Sequence, residues 1–320
     1  MTEPVVIAYD GSEDAVNAIA CAGRLLAPRP ALVVHSFVGL SRMMLRSNVD
    51  MVSGPLAEAA KEHDSADVEE AERLTAEGAQ LALAAGLEAQ PVVVEQDGKP
   101  WQTLIAIAEK HKAAALVAGA RGRSGLASAI LGSVSSGLVH HSPVPVLVVP
   151  AKAQPELCDG PPLLCYDASP NSKRAIESAG ELLASKAALV LHLWESWTAH
   201  APAYVPVVSG GVGGVARELD EIAETQSGEL AEEGAEQAAE AGFDPHAVSA
   251  RCDEGLWHAV LGAADEHDVS TIVLGSRGLS GISAVLGSVS HGVVHHSRRP
   301  VLIVPPGSGP DGESSWGSAR

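Results

Sequence analysis

Gly119-Ala120-Arg121-Gly122 is followed by nine residues and then Gly132-Ser133-Val134-Ser135, and Gly275-Ser276-Arg277-Gly278 by eight and then Gly287-Ser288-Val289-Ser290. Each copy is entered from an apolar, strand-like run, Ala114–Ala118 or Thr271–Leu274. Each is left through a helix-like segment into Pro145-Val146-Leu147-Val148-Val149-Pro150 or Pro300-Val301-Leu302-Ile303-Val304-Pro305. A glycine pair at a strand exit lets backbone N–H groups approach a ligand that a Cβ would keep away. A further Gly-Ser at a helix start adds unpaired amides and a hydroxyl, a combination suited to an anion such as phosphate. The pattern reads as a nucleotide-binding loop in duplicate.

The rest of the chain repeats around it. Asp10 and Asp167, Trp101 and Trp257, and His141 and His296 stand 157, 156 and 155 residues apart. Matching landmarks in matching order mean two copies of one domain, because the period is far too long for a solenoid. The expected organisation is a first domain over 1–150, a polar linker over 151–161, a second domain over 162–306 and a disordered tail over 307–320. In the first half, strands read at Val5–Tyr9, Ala31–Ser36, Pro91–Val94, Ala114–Ala118 and Val144–Val149. Helices read from an N-cap at Ser12 to Leu26, over about 65–85, from Pro100 to His111, and onward from Gly132 to about His141. Phe37 to about Asp64 reads as a long excursion containing Met43, Met44 and Met51, either a lid or a loosely packed loop. The second half follows suit, with an excursion from Trp194 to Val215 and an alanine-rich helix over about 216–241.

Strands alternating with helices, and apolar along their whole length, imply a parallel sheet covered on both faces. The fold class is α/β: two tandem doubly wound, Rossmann-like domains, each a five-stranded parallel sheet in the order 3-2-1-4-5. The connection reverses direction between strands one and four, and ligands favour the crevice at their carboxyl ends. Asp10 is thereby expected to face Gly119, and Asp167 to face Gly275, across more than a hundred residues of sequence.

Composition narrows the function. The 320 residues carry a formal net charge of −19, which disfavours nucleic acid and anionic membranes as partners. A phosphate site must then be built locally, from amides and a few arginines. Four cysteines without CxxC spacing read as reduced, buried thiols. No run approaches the roughly 20 apolar residues of a membrane span. No leader is evident, so the expected location is the cytoplasm.

Several residues admit two readings. Arg121 and Arg277 either balance phosphate charge or are solvated. Asp10 and Asp167 either cap the following helix or contact a ligand or metal. His140-His141 and His295-His296 fall in a last helical turn, where imidazolium favours the dipole, so they are not taken as metal ligands. His35 and His192 read as hydrogen-bonded scaffold. Ser209-Gly210-Gly211 lacks the placement and the trailing aspartate of a pyrophosphatase loop, and no Walker lysine or G-x-G-x-x-G follows the first strand. With no nucleophile–base pairing in sight, the protein is not expected to be an enzyme, slow nucleotide hydrolysis aside.

These residues resemble the universal stress protein family in its tandem form, over about 3–150 and 161–306. The family's ATP pattern, G-x2-G-x9-G-(S/T), is met by Gly119, Gly122, Gly132 and Ser133. The resemblance implies ATP, with or without Mg2+, with its adenine near Ala8, Tyr9, Asp10 and Ser36. Its phosphates would meet the glycine loop with Arg121, Ser133, Val134 and Ser135. In the second half it implies Cys165, Tyr166, Asp167, Leu193, Gly275, Gly278, Gly287, Ser288, Val289 and Ser290, to which the loop reading adds Arg277. There the loop is one residue short, which is either absorbed before the helix or misplaces the amides. The family also implies a pseudo-dimer in which Val144–Val149 meets Val301–Val304, and allows a homodimer. The function implied is ATP-dependent regulation in stress or dormancy. The alternatives are a nucleotide-independent interaction protein of the same fold and, more distantly, an adenine-nucleotide-using enzyme.

Overall fold

The computed structural model describes residues 2–26, 28–46, 55–122, 131–197, 212–277 and 286–307. Apart from two three-residue segments, two compact units divide between Asp159 and Gly160. In the first, β1 (Val5–Ala8), β2 (Pro30–Phe37), β3 (Glu88–Glu95), β4 (Ala115–Gly119) and β5 (Val146–Val149) form parallel pairs in the order β3-β2-β1-β4-β5. Val6 pairs with Leu32 on one side and Leu116 on the other, which makes β1 the central strand. The helices are α1 (Glu13–Leu26), α2 (Leu40–Arg46), α3 (Pro55–Ala84), α4 (Pro100–His111) and α5 (Ser133–His141).

The second unit repeats the plan. Its strands β6 (Leu163–Cys165), β7 (Ala187–Glu195), β8 (Asp244–Cys252), β9 (Ile272–Gly275) and β10 (Val301–Val304) run in parallel in the order β8-β7-β6-β9-β10. Its helices are α6 (Pro170–Leu182), α7 (Val212–Glu240), α8 (Leu256–Glu266) and α9 (Ser288–His296). Val5, Val6, Ile7, Leu116 and Val117 are fully buried, as are Leu163, Leu164, Ile272 and Val273. Strands hidden on both faces have no reason to alternate polar and apolar residues, which is why they read as continuous apolar runs.

The excursion after β2 is more helical than the sequence implied. α2 forms within it, and α3 starts at Pro55. The cause is tertiary: both carboxylate oxygens of Asp64, on α3, accept the Ser41 N–H at 3.2 and 3.3 Å. A carboxylate at a helix start satisfies orphan amides and complements the dipole. The second half uses the same device, Asp220 accepting from Ser196 Oγ at 2.9 Å and from the Trp197 N–H at 2.7 Å. Met43 in α2 is exposed, while Met51 and Ser209-Gly210-Gly211 lie outside the described residues.

The segment expected to be a plain polar linker is folded onto the first unit. It contains a 3-10 turn, Pro155–Asp159, with Ala153 and Cys158 buried. Asn17 Nδ2 on α1 donates to the Ala153 carbonyl at 2.7 Å, and Arg24 pairs with Asp159.

Helix packing also explains the terminal histidines. Trp101 of α4 stacks on His141 at 4.4 Å and 16°, and Trp257 of α8 on His296 at 4.5 Å and 18°. Gly137 and Gly292 leave room for the two indoles. A glycine without such a duty behaves differently. Gly228 sits inside α7, and a Cβ there would meet nothing within 4 Å. Gly228→Ala is therefore expected to raise stability by about 0.5–1 kcal/mol, read as a higher urea midpoint at unchanged slope.

Candidate functional site

β1 and β4 are neighbours, so Asp10 and Gly119 meet at the carboxyl end of the sheet. Contact here is close. A Cβ on Gly119 would lie 2.7 Å from the Asp14 carbonyl oxygen, and one on Gly122 would lie 2.7 Å from Asp10 Oδ2. Asp10 Oδ1 accepts the Ser12 N–H at 3.0 Å, and Ser12 Oγ accepts the Ala15 N–H at 3.2 Å, the N-cap read from the sequence. One Asp10 oxygen thus supports the turn into α1, while the other lies against the glycine loop.

The loop returns to the helix through a hydrogen bond from the Gly132 N–H to the Ala120 carbonyl, 2.7 Å. Gly132 is the N-cap of α5 and no side chain caps that helix. The first-turn amides of Ser133, Val134 and Ser135 are therefore left without a side-chain acceptor at the positive end of a nine-residue helix.

A cavity of about 260 Å³ opens there. It is lined by every residue proposed for the first half: Ala8, Tyr9, Asp10, Ser36, Gly119, Arg121, Gly122, Gly132, Ser133, Val134 and Ser135. Ala15, Val34, His35, Pro100, Leu104 and Ala118 line it as well and were not read from the sequence. Most of these are apolar, with no motif to mark them; their only signal was adjacency to a strand end or helix start already identified. Together they form an apolar shelf beside a row of amides. That combination fits a flat heterocycle joined to phosphate.

Three proposed residues contribute differently from expectation. Tyr9 turns its ring into the core against Gly78 and donates from its hydroxyl to Glu77 Oε1 at 3.2 Å. Burial, with the Glu77 carboxylate, pushes its phenol up to about 12, so it stays neutral and offers the cleft mainly backbone. The Tyr9 carbonyl contacts His35 Nδ1 at 2.8 Å, which gives His35 the scaffold role read for it. Ser135 is also spent internally: its buried hydroxyl donates to the Ala120 carbonyl at 2.8 Å, leaving Ser133 as the exposed hydroxyl. Arg121 is tied to Asp14 Oδ2 through both its amide, 3.1 Å, and its Nε, 3.3 Å.

The second half reproduces the scaffold. Asp167 Oδ1 accepts the Ser169 N–H at 3.0 Å, and the Gly287 N–H donates to the Ser276 carbonyl at 2.8 Å. Both described ends of the loop thus match the first copy, and the one-residue deletion falls between them. Gly278 lies outside the described residues. Ser290 Oγ donates to the Gly275 carbonyl at 2.8 Å, again an internal use, and no side chain caps α9 after Gly287, so Ser288 and Val289 start it as Ser133 and Val134 start α5. Tyr166 points away to Glu233 Oε1 at 2.6 Å. Leu193 is half-buried near the end of β7.

The halves differ where Asn171 replaces Asp14. Its Nδ2 donates to the Arg277 carbonyl at 3.0 Å, so the second loop is held by a carbonyl where the first is held by an amide. Burial, with the Asp167 carboxylate, pushes the Cys165 thiol up to about 12, which removes it as a nucleophile at neutral pH. Burial lowers the His192 imidazole despite the attraction of Asp167, and its Nδ1 lies 2.8 Å from Ser227 Oγ.

Known proteins resemble this chain throughout. The universal stress protein family profile matches residues 1–150 and 163–305. Universal stress protein YxiE of Bacillus subtilis is 45% identical over 76 residues, 23% of this chain and 50% of that protein. Universal stress protein Rv2005c of Mycobacterium tuberculosis is 28% identical over 312 residues, 93% of this chain and 96% of that one. A crystal structure of a universal stress protein from Archaeoglobus fulgidus covers 96% of this chain and 100% of its own, at 21% identity and a TM-score of 0.56. No described helix is long and apolar enough to cross a membrane. With the profile matched twice, on the two units that repeat one sheet order, the chain belongs to the universal stress protein family.

Proposed function

We propose that the first cleft binds ATP and that its occupancy sets what the protein docks with, a regulatory role in stress or dormancy. One observation carries the reading: the uncapped start of α5, the Gly122–Asp10 contact and an apolar shelf converge on one cavity. The adenine would lie on Ala8, Val34, Leu104 and Ala118, and the phosphates on the amides of Ser133 and Val134 with the Ser133 hydroxyl. Asp10 is the carboxylate that a phosphate-bound Mg2+ would meet. Binding rather than turnover is proposed, because the His35 imidazole at the cleft is engaged with the Tyr9 carbonyl and the Asp10 carboxylate is assigned to the metal.

The second cleft is taken as a site of the same kind with a differently held loop. Pairing of the two domains through their fifth strands, a homodimer and a cytoplasmic location belong to the same proposal, on the family resemblance alone. Calorimetric titration of ATP into the full-length protein tests the central claim. Saturable heat at one or two ATP per chain is expected. Absence of heat at every concentration up to millimolar, in protein shown to be nucleotide-free, would leave the interaction-protein reading in its place.

A further inference from the structure

We infer that Cys21 and Cys158 form a peroxide-responsive dithiol that locks the segment joining the two domains onto helix α1. The argument starts from helix geometry. Asn17, Cys21 and Arg24 are spaced four and three residues apart and so share one stripe of α1. Two of them engage the same segment: Asn17 holds the Ala153 carbonyl and Arg24 pairs with Asp159, so the two contacts bracket Cys21 on the helix and Cys158 on the segment. Both are free thiols, at 0% and 3% exposure. The fold does not require sulfur there, since the matching position of the second half is Ser178.

The two thiols are electronically unequal. The hydrogen bond from Cys21 holds the Cys158 thiol below its ordinary value, against the cost of burial, with help from the Arg24 charge. Cys21 is correspondingly raised. Cys158, on the short turn that can open, is the attacking sulfur, and Cys21, fixed within α1, the resolving one. Access is through a single 3-10 turn in which Leu157 is already exposed, a local opening of the low-cost kind.

The chemistry balances with hydrogen peroxide as oxidant. The Cys158 thiolate attacks one peroxide oxygen; an S–O bond forms, the O–O bond breaks, and hydroxide leaves to take the thiol proton as water. Cys21, giving its proton to the departing hydroxyl, then attacks the Cys158 sulfur; an S–S bond forms, the S–O bond breaks, and a second water leaves. Two thiols are oxidised by two electrons and one peroxide is reduced to two waters.

The test treats reduced full-length protein with hydrogen peroxide, then alkylates it in denaturant for intact mass and peptide mapping. Two of the four thiols should become unreactive, the mass should fall by two hydrogen atoms, and one cross-linked species should join the Cys21 and Cys158 peptides. Dithiothreitol should restore all four thiols. Hydrogen exchange at residues 153–159 should slow by about tenfold or more in the oxidised wild type and not in Cys158→Ser. Overturning results are four alkylatable thiols after peroxide, a sulfinic acid at Cys158 without a cross-link, or a bridge to Cys165 or Cys252. The wild-type peptide map decides the matter even if Cys158→Ser fails to fold. ATP binding does not enter the readout.

Discussion

Gly122→Ala is expected to weaken ATP binding at the first cleft by about ten- to a hundredfold, the equivalent of one or two lost hydrogen bonds to a charged group. Gly122 does not adopt the left-handed conformation that would make alanine strained in itself. What alanine adds is a methyl carbon 2.7 Å from Asp10 Oδ2, where one of the two must move. Asp10 is anchored through its other oxygen to the Ser12 amide, so the loop is the partner that gives way, carrying its amides off the phosphates. Loss of a loop glycine also stiffens the unfolded chain, worth about 0.4–1 kcal/mol in favour of folding. Stability should thus change by less than about 1 kcal/mol while affinity falls. Calorimetry of wild type against variant, with urea unfolding of both, separates the two effects. Unchanged heats at unchanged stability would remove the glycine loop from nucleotide recognition.

The second large effect is on stability, and its sign is diagnostic. In an unencumbered helix, replacing glycine by alanine gains about 0.5–1 kcal/mol. At Gly137, inside α5, the added carbon would lie 2.2 Å from the Trp101 ring. Overpacking of that kind costs about 1–3 kcal/mol, and the indole cannot retreat without breaking its stack on His141. Gly137→Ala is therefore expected to destabilise by about 1–3 kcal/mol, and Gly292→Ala, 2.5 Å from Trp257, in the same direction. Lower urea midpoints for both, beside the higher one for Gly228→Ala, are the pattern to look for. A Gly137→Ala protein as stable as the Gly228→Ala one would show that the α4–α5 contact is loose.

How legible the molecule was follows from where its information lies. The sheet order and the meeting of Asp10 with Gly119 were readable because burial writes itself into continuous apolar strands, and topology then fixes which ends face each other. The loop side of the first cleft followed from a motif of glycines and serines. Its apolar half did not, since Val34 and Leu104 look like any core residue until a cavity opens beside them. Side-chain direction was equally hidden. Tyr9 and Ser135 occupy expected positions, yet one ring and one hydroxyl serve the scaffold. The capping of α2 by Asp64 was invisible because its donor and acceptor are 23 residues apart, beyond the reach of local helix signals. The joining segment lies where it was read, but its polar composition gave no sign that Asn17 and Arg24 of α1 hold it.

The hydrogen bonds Gly132 N–H to Ala120 and Gly287 N–H to Ser276 clamp each glycine loop at its base. A clamped base turns the intervening stretch into a graft point: doubling its length costs only about 0.6 kcal/mol of closure entropy. A short tag inserted between Gly122 and Gly132 is then expected to leave both closing hydrogen bonds, and with them the start of α5, in place.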